Sequence, residues 1–151
     1  MILQTAAPLA ERRGVSLITD FSPHARMVNG DPVLLQQAIL ELLLNAMDAL
    51  EKVPRDQAII EISNRILLTK EVEIKVRDYG NGVPAPQLHR LFDTSFTTKP
   101  QGSGLGLAII GAIIKFHRGR IRVEQHAEGG TLFHLTLPNP VQTPHQDQRS
   151  L

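Results

Sequence analysis

The sequence has no cysteine. Disulfide frameworks and thiolate metal sites are therefore excluded, while oxidising and reducing compartments both stay open. Long apolar runs are missing too, since no stretch approaches the ~18 consecutive apolar residues of a membrane span. The opening MILQTAAPLAERR has neither the charged start nor the long apolar middle of a secretory signal. A cytoplasmic location is expected, with no direct membrane contact. Excess charge is also lacking. A formal net charge of +1 supplies no global field for nucleic acid or an acidic surface, and no nucleic-acid partner is expected. The six histidines, at 24, 89, 117, 126, 134 and 145, include no H-x-x-x-H pair, so a zinc site has little support.

What is present suffices for one folded domain. With 151 residues, 42% of them apolar and 21% charged, the chain can bury about 70% of its unfolded surface around a single core. Helix formers run to Gly14, a helix stop, and residues 1–13 read as the end of a preceding helix or linker. VSLITDF then alternates like a strand. The cleanest helix start is Gly30-Asp31-Pro32, with Asp31 able to cap and Pro32 at the first helical position. From Val33 to Leu50 the pattern is apolar on most sides, which predicts a buried helix.

Three polar residues interrupt its far half: Glu41, Asn45 and Asp48. Their spacings of four and three stack them on one face. A solvated helix edge explains such a stripe, and so does a polar ligand lying against it, because burying these groups without partners is costly. AIIEISNRI and EVEIKVR alternate and are predicted to pair as antiparallel strands. The second runs into DYGNGVP, which places Asp78 at the rim of a sheet with Gly80 and Gly82 behind it. Asp, Asn and Gly are also ordinary turn residues. PAPQLHRLF reads as a short helix. GRIRVEQ and GGTLFHLTLP form a closing hairpin through residues 127–130, and the proline- and glutamine-rich residues 139–151 are expected to be disordered. Lys115, His117, Arg118 and Arg120 make a basic cluster that complements a helix C-terminus.

The stretch DTSFTTKPQGSGLGLAIIGAIIKFH, residues 93–117, runs from a polar loop with Gly102, Gly104 and Gly106 straight into an apolar helix. Glycines let the backbone approach an anion closely, and the first-turn amides and dipole of the helix would face it. Tight helix packing would also use glycines here. A Walker A loop is excluded, because its lysine follows the last glycine whereas Lys99 precedes all three. Against a dinucleotide fingerprint, the spacing is G-x-G-x-G and a loop precedes it, although Glu124 stands about 20 residues on, where that fold wants an acid.

The order ExxxNAxDA, DxGxG, LFDxSFTTK, GSGLGLAI, GGTLFHLTLP closely resembles the ATP-binding catalytic domain of bacterial sensor histidine kinases. That family belongs with the gyrase, heat-shock chaperone and mismatch-repair ATPases, and LFDTSFTTKPQGSGLGLAI is most similar to its nitrogen-regulation and dicarboxylate-sensing members. The resemblance covers about residues 14–138. It implies a two-layer α/β sandwich of the Bergerat type, with a mixed, mostly antiparallel sheet covered by helices on one face. ATP and Mg²⁺ are the implied cofactors.

Carried over by motif, Asn45 holds the metal and Asp78 accepts from the adenine amino group, with Gly80, Gly82 and Val83 beside the base. Phe92 and Phe96 anchor a lid. Thr98 and Lys99 face the phosphates, with Lys99 at the terminal one. Gly102, Ser103, Gly104, Leu105, Gly106 and Leu107 wrap the phosphates. Asp48 and Thr131 join the nucleotide's polar network, Thr131 through water. Glu41 stands where many members of the subgroup have a second asparagine, and it is a candidate to orient the attacking nucleophile.

The implied partners are a histidine-containing dimerisation domain and, through it, a response regulator. None of the six histidines has the family's acceptor setting, a His-Glu or His-Asp motif followed by proline. An isolated chain is therefore expected to be monomeric, to bind Mg-ATP and not to phosphorylate itself. A nucleotide-dependent interaction module and a free-standing ATPase are the competing readings.

Overall fold

A computed structural model describes residues 2–22, 30–80 and 106–138. Helix α1 spans Ile2–Arg12 and strand β1 Ser16–Phe21, with Gly14 between them at φ +71°. Ala6 and Ala10, one turn apart, are both in the core, so α1 packs on the domain. Helix α2, Pro32–Ala49, starts as its sequence demands. Asp31 Oδ1 accepts from the amides of Val33 at 2.9 Å and Leu34 at 3.2 Å, and Pro32 occupies the first turn. Its buried side chains, Leu35, Ala38, Leu42, Leu43, Ala46 and Met47, recur at helical spacing.

The remaining elements are β2 (Ile59–Ile66), β3 (Val72–Asp78), α3 (Gly106–Phe116), β4 (Arg120–Gln125) and β5 (Thr131–Leu137). They complete a five-stranded sheet in the order β1-β2-β3-β5-β4. β1 and β2 are parallel because α2 carries the chain back between them, and the other pairs are antiparallel. This is the mixed, mostly antiparallel sheet expected. Alternation sorts its faces. Val76, Ile60, Ile62, Phe133, Leu135 and Leu137 point into the core with α2 and α3, where Ile110, Ile113 and Ile114 meet them. The opposite face carries Glu61, Arg65, Glu73, Lys75, Arg77, Arg122, Glu124 and His134.

The two large helices are locked at one end by a histidine. His117, buried just past α3, donates from Nδ1 to the Ile113 carbonyl at 2.8 Å and accepts at Nε2 from the Asp31 amide at 2.9 Å. The end of α3 therefore sits at the start of α2, and the helices run antiparallel along their packed faces.

Candidate functional site

Asp78 is the last residue of β3, and alternation with Val76 turns it toward the helix layer. It is 3% exposed. Its Oδ1 accepts from the Gly80 amide at 2.9 Å and from the Thr131 amide at 3.4 Å. No described residue donates to Oδ2, and among the described residues no cation pairs with the carboxylate. Burial pushes its pKa above the usual aspartate range, against the opposing pull of the Gly80 and Thr131 amides and of Arg77. A buried carboxylate with one oxygen fixed by backbone donors and no counter-ion is an acceptor poised for a ligand.

Two glycines make this arrangement possible. A Cβ on Gly80 would stand 2.8 Å from the Ala49 carbonyl oxygen, so only glycine lets the chain leaving β3 pass under the last turn of α2. Gly130, at φ +89°, brings the β4–β5 turn against the main chain of Asp78, where a Cβ would overlap the Asp78 carbonyl oxygen. Those contacts place the end of α2 beside the carboxylate. Asn45 lies about one helical turn, roughly 6 Å, back along α2 from Ala49.

The stripe expected on α2 is real, because Glu41, Asn45 and Asp48 are all half-buried on one side of a helix that is otherwise largely core. Asp48 Oδ1 pairs with Arg13 Nη2 at 2.7 Å, which ties the end of α1 to α2. The Nδ2 nitrogen of Asn45 is closed off from solvent. Among the described residues no group of three histidine, aspartate or glutamate side chains could enclose a metal ion. A single amide oxygen at Asn45 fits Mg²⁺, which keeps several waters and takes one or two protein oxygens beside substrate phosphates.

Helix α3 supplies the third part. Its 11 residues span about 16 Å at about 1.5 Å per residue. Its far end is pinned at Asp31 and it packs against α2, while its first-turn amides and positive dipole end lie at the opposite end, at Gly106. Leu107 packs its side chain on the core. Gly82, Val83, Phe92, Phe96, Thr98, Lys99, Gly102, Ser103, Gly104 and Leu105 lie outside the described residues, as do the short helix expected over 84–92 and the tail 139–151.

The structure adds contacts that the sequence pattern does not show. Thr131 donates its backbone amide to Asp78. His117 is a capping partner for α2, not one member of a basic cluster. Glu124 faces His134 on the helix-free side, with 3.1 Å between Oε1 and Nε2, away from Asp78. The depression lined by Arg65, Ile66, Leu67, Leu68 and Thr69 is made by consecutive residues at the end of β2 and in the β2–β3 turn, at the other end of β3 from the carboxylate.

Comparison with known proteins points in the same direction. Residues 30–141 match the family described as histidine kinase-, DNA gyrase B-, and HSP90-like ATPase. Sensor protein FixL of Bradyrhizobium diazoefficiens is 36% identical over 129 residues, 85% of this chain and 25% of that protein. Sensor histidine kinase ZraS of Klebsiella oxytoca is 35% identical over 136 residues, 90% of this chain and 29% of that protein. The chain thus spans about a quarter of the length of these relatives. Among solved structures, a mycobacterial sensor histidine kinase, MprB, superposes with a TM-score of 0.78 at 27% identity, covering 91% of each chain.

Proposed function

The chain belongs to the histidine kinase-, DNA gyrase B-, and HSP90-like ATPase family, and from that premise we propose that it is the ATP-binding catalytic part of a sensor histidine kinase. It binds Mg-ATP and donates the γ-phosphate to a histidine on a dimerisation domain, from which a response regulator receives it. The observation that carries this reading is the state of Asp78, whose Oδ1 is held by two backbone amides while Oδ2 receives no hydrogen bond among the described residues. An adenine amino group donates to such an oxygen. Guanine presents a carbonyl there, and facing acceptor to acceptor costs about 1–3 kcal/mol.

From the base, the polar stripe of α2 leads along the helix to the N-terminus of α3, a path on which a triphosphate meets Asn45 and then the first-turn amides. Asn45 would hold Mg²⁺ through its side-chain oxygen, and the ion would offset phosphate charge. Lys99 and Gly102, Gly104 and Gly106 are assigned to the phosphates by their motif. Glu41, one turn before Asn45, orients the attacking nucleophile beside the γ-phosphate. No helix among the described residues is long and apolar enough to cross a membrane, and a cytoplasmic site of action accords with the use of ATP.

The test supplies a two-helix, histidine-containing dimerisation domain in trans with γ-³²P-ATP and follows single-turnover transfer. Label is expected on the added histidine and not on this chain, with Glu41→Gln slowing transfer by about 10²-fold or more, the scale of a general base. ATP binding without any transfer would instead favour a nucleotide-dependent interaction module. Steady hydrolysis without transfer would favour an ATPase.

A further inference from the structure

The β4–β5 turn is fastened to the nucleotide end of β3 by a side chain from the far face of the sheet. Arg77 precedes Asp78 and points away from the helices, its guanidinium 4.1 Å over the Tyr79 ring. Its Nη2 lies 3.1 Å from Nδ1 of His126, the first residue after β4. The backbone amide of Glu128 donates to that same Nδ1 at 3.1 Å. A guanidinium and a backbone amide can only donate. Nδ1 is therefore an acceptor without a proton, and the ring hydrogen is on Nε2. The main chain of His126 also closes the turn. Its amide donates to the Gly130 carbonyl and its carbonyl accepts from the Gly129 amide, each at 2.9 Å.

His126 is thus bonded both within the turn and across to β3, and the far side of the turn delivers the Thr131 amide to Asp78. Gly129 and Gly130 stand at φ +99° and +89°. Glycines have no side chains to brace the turn, and the hydrogen bond it delivers is already long at 3.4 Å. We propose that His126 is a positioning residue for nucleotide binding, its Nδ1 holding the turn on Arg77 so that the Thr131 amide keeps Asp78 aimed at the base. This rests on the adenine reading of Asp78. No reading of the histidines by spacing points to it, because the partners of His126 are a residue 49 positions away and an amide two positions on.

Two measurements on the full chain test the assignment: amide hydrogen exchange at Thr131 without ligand, and calorimetric titration with ATP and with ADP. His126→Leu removes the acceptor. His126→Asn keeps an oxygen where Nδ1 accepts. In His126→Leu, exchange at Thr131 accelerates and both nucleotides weaken by a common factor of about 5–10, the scale of one net hydrogen bond. His126→Asn restores both readouts to within about twofold, which a merely structural loss of the imidazole would not allow. Arg77→Met, which removes the donor and leaves the ring, reproduces the pattern should the leucine variant fail to fold. Unchanged exchange in the folded variants, or an asparagine variant as impaired as the leucine one, overturns the proposal. A wild-type chain that binds no ATP would fail the adenine reading instead, and exchange at Thr131 would still decide whether His126 holds the turn.

Discussion

Two buried acids on one strand are treated in opposite ways. Glu73 and Asp78 both belong to β3, and they are 6% and 3% exposed. Glu73 faces the helix-free side amid cations. Arg65 Nε is 2.8 Å and Lys75 Nζ 3.8 Å from its Oε1, and His134 Nδ1 is 3.4 Å from its Oε2. Burial raises its pKa, but Arg65, Lys75 and His134 together outweigh burial and hold it below the glutamate value of 4.5. Asp78 faces the helices with two amides and, among the described residues, no ion pair, and burial carries it above the aspartate value of 3.8. A carboxylate satisfied by its surroundings serves the fold, whereas one left partly unsatisfied costs stability and is kept for a ligand.

Substitution at Asp78 should separate the two most strongly. In Asp78→Asn the backbone amides of Gly80 and Thr131 keep the oxygen on the Oδ1 side, so the ligand-facing atom becomes a donor. ATP affinity is expected to fall by about 5- to 150-fold, the 1–3 kcal/mol of an unmatched polar group. GTP affinity should rise, and the melting temperature should rise with the loss of a buried charge. Nucleotide titration and calorimetric melting check both signs.

Glu73→Gln should do the reverse. Stability falls by about 1–2 kcal/mol, discounted because Arg65 is 61% exposed. ATP affinity stays at the wild-type value. Urea midpoints and the same titration decide, and a loss of ATP binding in this variant would erase the contrast.

The smallest effect is the dependence on pH. Stability contributed by Glu73, and by Glu124, which the His134 hydrogen bond chiefly lowers, is complete above the ordinary value of 4.5 and lost as pH falls through the lowered values. Asp78 has the opposite sign. Its raised value means a contribution present below 3.8 and lost as pH rises through the folded value. As pH falls the two contributions should therefore oppose one another, acidification relieving the Asp78 cost while removing the Glu73 and Glu124 contributions. Urea midpoints should fall more steeply on acidification in Asp78→Asn than in the wild type and less steeply in Glu73→Gln.

Much of the fold is legible along the chain because its signals are local. The Asp31-Pro32 start of α2, the stop at Gly14 and the alternation in β2, β3 and β5 each depend on neighbours within a few residues. Asp78 is half legible. DYGNG alone reads more readily as a turn, and only the order of motifs along the chain assigns it a ligand. The partners that complete the site are not legible, because they join distant residues: Thr131 to Asp78 across 53 positions, His117 to Asp31 across 86, Arg13 to Asp48 across 35. Glu124, whose spacing alone would have suited a dinucleotide fold, is set by the sheet register beside His134.

The most direct measurement is a cycle between Asp78 and the 6-amino group of the base, comparing ATP with the purine nucleoside triphosphate that lacks this group, in wild type and in Asp78→Asn. The expected result is tighter binding of ATP than of the analogue by the wild-type chain, by about tenfold for the one hydrogen bond to a charged group, with the preference abolished in the variant. Equal binding of the two nucleotides by the wild type, or a preference that survives in Asp78→Asn, would show that the base is not read at Asp78.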